Sequence, residues 1–348
     1  MKKNLSLDTI KRIYSLKSNR IYSLPILILM PHSRCNCRCV MCDIWKGNNN
    51  IKQLEENDVV NMLESMRRLN TKLVVMSGGE ALMHPNFFRL CEIIKSLKIS
   101  ITLLSTGLLL KKYASEIIAK TDEVIVSLDG SKEIHDRIRN IPNAFDKLKE
   151  GVRELKRLNP KFRVTARCVI QKENFYDMPN IVDAAQDIGL NQISFLTADI
   201  SSDAFNRPGL WDEDKIDEIK LSLEELERFK QVIEDLINTR VKEFKSRFIA
   251  ESPDKIRKFY YYYAAFQNLC EFPEVQCNAP WISAVVEADG SVRPCFFHKV
   301  IGAIRQKDLA GIVNSEESVS FRQDLDVKTN EICRRCVCSL NLSPFTKL

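Results

Sequence analysis

The chain has 348 residues, of which 45% are hydrophobic and 28% are charged. This size and composition exclude a small structural module and a disordered chain, because the apolar surface is large enough to offset the entropy of ordering the backbone. The formal net charge is +6, but basic residues alternate with acidic ones, as in Lys149-Glu150 and Arg153-Glu154. No basic block indicates a nucleic-acid-binding surface, and we expect no nucleic-acid partner.

The apolar segments are short. The longest run, Leu24–Met30, is far below the ~20 residues that cross a bilayer. The Lys-rich start is not followed by a small-residue cleavage site. We therefore expect a cytoplasmic protein with no membrane partner.

Short β-branched segments alternate with amphipathic ones from residue 24 to residue 196, which is the pattern of βα units around a parallel sheet. The intervening segments place apolar residues at helical spacing, as in the one that contains Val59, Leu63 and Met66. Right-handed crossovers between six strands predict a partial (β/α)6 barrel rather than a closed eight-stranded one. The predicted strands are residues 25–30, 72–76, 100–104, 123–128, 163–170 and 192–196.

The pattern changes after Asp199. A Pro208-Gly209 break is followed by a charged, helix-favouring segment and then by a second apolar one, which predicts a helical linker. Further on, Asp289-Gly290 lies between two β-branched runs and predicts a β-hairpin. We therefore expect four parts: an N-terminal extension, the partial barrel, the linker and a small Cys-rich domain, at residues 1–23, 24–210, 211–266 and 267–348.

The chain contains twelve cysteines, which are many for a protein of a reducing compartment, where disulfides do not persist. Four crowd between residues 35 and 42, and six lie beyond residue 269. Such clusters predict metal binding at two places. Cys91 and Cys168 stand alone inside apolar segments, and we expect them to be buried hydrophobic residues.

The first cluster has the spacing C-x3-C-x2-C, formed by Cys35, Cys39 and Cys42 on the loop after the first strand. Three thiolates can bind three corners of a cubane iron–sulfur cluster and leave the fourth iron open to a ligand. A zinc site with Cys37 or His32 as fourth ligand is the alternative, although the spacing is not that of paired zinc ligands. We expect Cys37 not to be a ligand.

Other strands also end in polar or Gly-rich motifs. Ser77–Glu80 follows the second strand, Ser105–Gly107 the third and Ser127–Gly130 the fourth. The carboxyl ends of barrel strands meet at one mouth, so these motifs should converge on the first cysteine cluster.

These motifs, in this order after an apolar first strand, resemble the radical S-adenosylmethionine (SAM) superfamily, and the resemblance covers residues 24 to 200. It implies that Cys35, Cys39 and Cys42 hold a [4Fe–4S] cluster whose open iron chelates the amino and carboxylate groups of SAM. One electron then splits SAM into methionine and a 5′-deoxyadenosyl radical.

The resemblance also implies which residues contact SAM. Gly78, Gly79 and Glu80 match the motif that binds the methionine amino group, a role that suits close backbone approach and a carboxylate. Ser127 matches the polar contact to the ribose or methionine part. Met41 stands where an aromatic residue usually packs on the adenine, and a thioether can also contact a ring.

Arg139 closes a second stretch that resembles the family, His135–Arg139. The resemblance makes it a possible partner for the SAM carboxylate. The alternative is an arginine on a helix surface.

The second cluster consists of Cys277, Cys295, Cys333 and Cys336, with the hairpin bringing the first two together. This pattern resembles the C-terminal extension called SPASM, or its shorter form called twitch, which carries auxiliary [4Fe–4S] clusters. The tail has six cysteines and two fully ligated clusters would need eight, so we expect one auxiliary cluster on these four. A zinc-stapled tail is the alternative. Cys270 and Cys338 are the two tail cysteines outside this set, and Cys270 is an alternative ligand in place of one of the four.

His298 lies three residues after Cys295. A neutral imidazole there could take a proton from a substrate radical while the auxiliary cluster accepts the electron, which makes His298 a candidate catalytic residue. The alternative is a histidine that only contacts a cluster ligand or lies at the surface.

The resemblance implies an oxidoreductase or maturase that abstracts hydrogen from a C–H bond of a peptide, a protein or a small molecule. It implies SAM as cosubstrate and a one-electron donor such as flavodoxin or ferredoxin. Few residues precede the first strand, which favours a small molecule or a separately recruited protein substrate. The alternatives are a non-catalytic iron–sulfur or zinc protein and an electron-transfer protein, neither of which needs the Gly-Gly-Glu motif.

Overall fold

The computed structural model describes residues 6–347. Six parallel strands form the predicted partial barrel, and each strand pairs with the next in chain order. Every predicted strand is confirmed, with boundaries that agree to within about one residue. The strands are β1 (Ile26–Leu29), β2 (Leu73–Met76), β3 (Ser100–Ser105), β4 (Glu123–Ser127), β5 (Arg163–Ile170) and β6 (Ile193–Thr197).

Amphipathic helices connect the strands. The helix after β1 begins at a capping box between Glu55 and Asp58, and it buries Val59, Met62 and Met66 at helical spacing. A further helix precedes β1. In chain order these helices are α1 (Leu7–Ser18), α2 (Glu56–Arg68), α3 (Phe87–Lys95), α4 (Ala114–Lys120), α5 (Lys132–Arg139), α6 (Ala144–Leu158) and α7 (Met178–Ile188).

The segment after the barrel is helical, as its composition indicates. Two of its helices pack on each other, with the ring of Tyr263 6.4 Å from that of Phe229. The Tyr263 hydroxyl also donates to the backbone oxygen of Ile170 in β5 at 2.6 Å, which attaches the segment to the barrel. The helices are α8 (Glu213–Ile219), α9 (Leu223–Thr239), α10 (Val241–Lys245) and α11 (Pro253–Phe266).

The tail contains the predicted hairpin, with Gly290 at its turn in the left-handed region (φ 88°). Its first strand also pairs in parallel with β1, so the hairpin extends the barrel sheet to the order β6-β5-β4-β3-β2-β1-β7-β8-β9. The tail elements are α12 (Ala279–Ile282), β7 (Ser283–Val286), β8 (Ser291–Arg293), β9 (Gly302–Ala303), α13 (Leu309–Val313), α14 (Glu316–Asp324) and α15 (Glu331–Arg334).

The main core lies between the sheet and its helices. Cys91 and Cys168 are both fully buried in it, as predicted. Across residues 6–347, no helix combines the length and the apolar character that crossing a membrane would require.

Candidate functional site

A cavity of about 260 Å³ opens at the carboxyl ends of the barrel strands. We call it the barrel cavity. It brings together all the site residues predicted in the barrel except Glu80. Those that line it are Cys35, Cys39, Met41, Cys42, Gly78, Gly79, Ser127 and Arg139.

The first cysteine loop is held from several sides. Asn48 bonds the backbone of Cys35 twice, at 2.9 Å each, and the Cys42 amide donates to the Cys39 carbonyl at 3.2 Å. Cys37 is buried and does not line the barrel cavity; a hydrogen bond from its thiol lowers the pKa of Cys39. Burial raises the pKa values of Cys35 and Cys42 to about 12, so both are neutral thiols until a metal displaces their protons.

The Gly-Gly-Glu motif packs directly on this loop. The Glu80 amide donates to the Arg34 carbonyl at 2.8 Å, and a Cβ on Gly79 would lie 2.1 Å from that same oxygen. Only glycine therefore fits at position 79 without moving the loop. The resulting contact fixes the motif beside the three thiols.

The Glu80 carboxylate is fully buried behind the cavity wall, and burial raises its pKa. It accepts hydrogen bonds from the Thr106 amide at 2.7 Å, the Thr106 hydroxyl at 2.6 Å and the Ser105 hydroxyl at 3.0 Å. Glu80 thus ties the motif after β2 to the end of β3. Its contact with the methionine amino group stays a prediction.

Arg139 is buried at the end of α5, so the surface-arginine alternative is wrong. Its guanidinium forms an ion pair with the fully buried Asp129 and donates to the Sγ of Cys39 at 3.4 Å. The contact with the SAM carboxylate stays a prediction.

The sequence did not predict the contribution of residues 199–211, a segment whose Asp199, Phe205 and Arg207 line the barrel cavity. We call it the roof segment. Arg207 forms a buried ion pair with Asp199 (2.7 Å), and its guanidinium lies 3.6 Å from the ring centre of Trp211. The Trp211 indole in turn donates to Asp43, the residue after the third cysteine, at 3.0 Å. Asp199 follows the carboxyl end of β6, and this position in the sequence already indicated that it lies at the barrel cavity. The partners of Arg207, in contrast, are evident only in the folded structure.

A second, smaller cavity of about 80 Å³ lies in the tail. We call it the tail cavity. The four predicted ligands line it together with a fifth cysteine, Cys338, which also lines the barrel cavity. Cys270 is exposed and lies outside both cavities. The four are Cys277, Cys295, Cys333 and Cys336.

His298 is buried in the wall of the tail cavity, so it is not a surface histidine. Its Nε2 lies 3.4 Å from the Sγ of Cys333, and burial lowers its pKa, which keeps the imidazole neutral. It does not line the barrel cavity. The contact favours a role in holding Cys333, and the catalytic role stays a prediction.

Two family models match the chain. The radical SAM superfamily model matches residues 29–185, and the iron–sulfur cluster-binding domain called SPASM matches residues 277–337. The chain carries a radical SAM domain in its barrel and a SPASM domain in its tail. These domains imply a [4Fe–4S] cluster and SAM in the barrel and an auxiliary cluster in the tail.

Curated relatives resemble this radical SAM chain at low identity. An AdoMet-dependent heme synthase of Methanosarcina barkeri is 24% identical over 44% of this chain and 45% of its own length. A cysteine-type anaerobic sulfatase-maturating enzyme of Clostridium novyi is 23% identical over 90% of this chain and 85% of its own. The chain spans about half the length of the first of these relatives.

Among solved structures, Streptococcus suis SuiB bound to precursor peptide SuiA superposes with a TM-score of 0.67 at 17% identity, over 98% of this chain and 79% of SuiB. An AdoMet-bound structure of anSMEcpe superposes with a TM-score of 0.62 at 18% identity, over 89% of this chain and 87% of that chain. These likenesses show the fold.

The residues present fit the implied cofactors. The three thiols of the C-x3-C-x2-C motif line the barrel cavity beside a glycine backbone, and the four predicted tail ligands line the tail cavity with Cys338. Within residues 6–347 no three His, Cys, Asp or Glu side chains are grouped as the ligands of a single metal ion. The ligands of a cubane cluster lie farther apart than those of a single metal ion, since each thiolate binds a different iron.

Proposed function

We propose that the protein is a radical SAM enzyme that cleaves SAM reductively and uses the 5′-deoxyadenosyl radical to take hydrogen from a C–H bond of its substrate. The observation that supports this most is the meeting of Cys35, Cys39 and Cys42 with Gly78 and Gly79 in one cavity. A cluster with one open iron, when bound, supplies the electron and chelates SAM.

The chain's own residues would hold and shield this chemistry. Cys35, Cys39 and Cys42 would bind the cluster, while Gly78 and Gly79 would give SAM a close backbone surface. The contacts of Glu80 keep that surface in place.

The cavity wall would protect the radical. Ser127 and Met41 line the cavity on other sides and would contact the ribose or methionine part and the adenine. The roof segment lines the cavity with its buried Asp199–Arg207 pair and would limit access of water to a reactive radical.

Cys277, Cys295, Cys333 and Cys336 would hold the auxiliary cluster, which would accept an electron from the substrate radical. His298 would support Cys333 and remains the candidate base for the accompanying proton. We also propose the division into a barrel (24–210), a helical segment (211–266) and a cluster domain (267–348). All twelve cysteines are free, as in proteins of a reducing compartment, and the location that we propose is the cytoplasm. The one-electron donor that we propose is a flavodoxin or a ferredoxin.

The substrate that we propose is a peptide or a protein. The support is that the sulfatase-maturating relative aligns over both halves of this chain, whereas the heme synthase relative aligns over less than half of it. The fold is also that of SuiB, solved with a precursor peptide.

The function is tested by anaerobic reconstitution with iron and sulfide, followed by SAM and dithionite. Formation of 5′-deoxyadenosine, measured by mass spectrometry, is expected for the wild type and for Cys270→Ala, a control at an exposed thiol outside both cavities. Absence of 5′-deoxyadenosine from a protein that holds its cubane would contradict the proposal.

The substrate class is tested by adding cell-extract fractions to the same reaction. A peptide or protein substrate predicts that the fraction that stimulates SAM cleavage loses this effect after protease treatment. Stimulation that survives the protease and passes a small-molecule filter would contradict the peptide assignment.

A further inference from the structure

Cys39, the second of the three predicted cluster ligands, has a backbone hydrogen bond to helix α5 on each side of it. The Arg38 amide donates to the Arg139 carbonyl, and the Val40 amide donates to the Ile138 carbonyl, each at 3.1 Å. These two bonds flank Cys39 and use carbonyls of the last turn of α5, which have no partner within the helix. The backbone of Cys39 is therefore fixed relative to the end of this helix.

The side chain of Arg139 adds a third attachment, since its Nη1 donates to the Sγ of Cys39 at 3.4 Å. The arginine is 6% exposed and the Asp129 that neutralises it is 0% exposed. A second oxygen of Asp129 accepts the Val169 amide at 2.8 Å, which fixes the carboxylate to β5. Helix α5, the segment after β4 that carries Asp129, and strand β5 together hold the positively charged Arg139 guanidinium against the Sγ of Cys39.

The other two thiols are held differently. Backbone amides, those of Cys37 and Ile44, act against the burial that raises the pKa values of Cys35 and Cys42. Among the residues that the structure describes, Cys39 is the thiol of this loop that receives a guanidinium hydrogen bond. The arrangement is asymmetric, since one thiol of the three receives a cationic donor. That donor belongs to a buried ion pair, and such a pair is weak evidence of stabilisation because desolvating its charges can cost more than their attraction returns.

We propose that Arg139 is a positioning residue that holds the Cys39 thiolate and raises the reduction potential of the cluster bound there. A cationic donor at a ligand sulfur withdraws electron density and stabilises the reduced, more negative state. Asp129 sets the size of this effect by neutralising part of the charge. The inference rests on the proposed cluster at Cys35, Cys39 and Cys42.

The test uses reconstituted full-length protein and the electron paramagnetic resonance signal that changes on adding SAM, which reports the first cluster. Two quantities are measured: the midpoint potential of that signal and the rate at which a ferrous chelator removes its iron. Arg139→Gln alone leaves Asp129 buried and unpaired, so the main variant is Arg139→Gln with Asp129→Asn, which removes both charges. Arg137→Gln, an exposed ion-pair residue on the same helix, is the control.

In the charge-balanced variant we expect a more negative potential and iron release about tenfold faster, since loss of such supporting bonds typically costs 10-fold or more in metal affinity. Asp129→Asn alone, which keeps the guanidinium, should shift the potential in the opposite direction. The control should match the wild type in both measurements.

An unchanged potential and release rate in the charge-balanced variant would overturn the proposal and leave Arg139 as a charge partner of Asp129. Failure of this variant to fold would also count against it, since the pair would then serve the whole fold. A wild type that binds no SAM-responsive cluster would instead refute the proposed function, so the two failures are distinguishable.

Discussion

Ile28 of β1 lies in parallel register beside Val285 of β7. This pairing makes the tail hairpin a continuation of the barrel sheet, although the two segments are far apart in the chain. The two cavities are consequently neighbours, and Phe296 and Cys338 line both of them. These shared lining residues place the proposed auxiliary-cluster site beside the barrel cavity, which suits electron transfer between the substrate and the auxiliary cluster.

Replacing Cys35, Cys39 and Cys42 together by Ala should remove about four irons per chain, one cubane, and abolish SAM cleavage. The reason is that no other set of cysteines lines the barrel cavity beside Gly78 and Gly79 in the described chain. Iron analysis and the yield of 5′-deoxyadenosine after dithionite reduction check this. Retention of cleavage would show that the site has been assigned to the wrong thiols.

Cys37→Ser should keep the cluster signal and its change on adding SAM. The Cys37 thiol is 1% exposed and lies outside the lining of the barrel cavity. Its hydrogen bond to Cys39 can be made by a hydroxyl as well. If the signal and the SAM response were both lost, Cys37 would be a ligand.

Cys333→Ala with Cys336→Ala should lower the iron content from about eight to about four per chain while SAM cleavage continues. The two thiols line the tail cavity, away from Gly78 and Gly79. Mössbauer spectra distinguish the two clusters, and Cys270→Ala serves as the control. Zinc in the wild-type tail would contradict the auxiliary cluster and the oxidation that depends on it.

Gly79→Ala should weaken SAM binding, because the new Cβ would lie 2.1 Å from the Arg34 carbonyl oxygen and push the motif off the cysteine loop. Gly209→Ala, where a Cβ meets nothing within 4 Å, is the matched control. Equilibrium binding of SAM to reconstituted protein measures the effect. Equal affinity in both variants would mean that SAM does not use this surface.

His135 should make the stability of the cluster-free protein depend on pH. Burial, and then Arg139, holds the pKa of His135 well below 6.5, and its Nδ1 accepts the Asp129 amide at 3.1 Å, so the folded state favours the neutral ring. A depressed folded pKa means that this stability is present above 6.5, the pKa of the unfolded state, and is lost as the pH falls below it.

The free energy of unfolding should fall by up to about 1.4 kcal/mol per pH unit in that range, relative to His135→Asn. Asn keeps an acceptor at the position but does not titrate, so the difference isolates His135. Denaturant titrations between pH 5 and pH 8 measure it. Parallel pH profiles of the two proteins would show that His135 titrates normally.

The local patterns determined much of this protein. Strand β5 was predicted residue for residue, and the Asp289-Gly290 turn predicted its hairpin, because alternating burial and turn chemistry act over a few residues. The convergence of Cys35 and Gly79 also followed from sequence, since parallel strands place their carboxyl ends on one side.

Only the tertiary structure decided the contacts between distant segments. The sequence does not show that Arg139 contacts Cys39 and Asp129, that Arg207 pairs with Asp199 in the lining of the barrel cavity, or that Cys338 rather than Cys270 joins the tail thiols. A buried arginine and an exposed one look alike in a sequence, because burial depends on which helix and strand ends pack around the side chain. For the same reason, the pairing of β7 with β1 was not predictable: it depends on an open sheet edge that exists only once the barrel has folded.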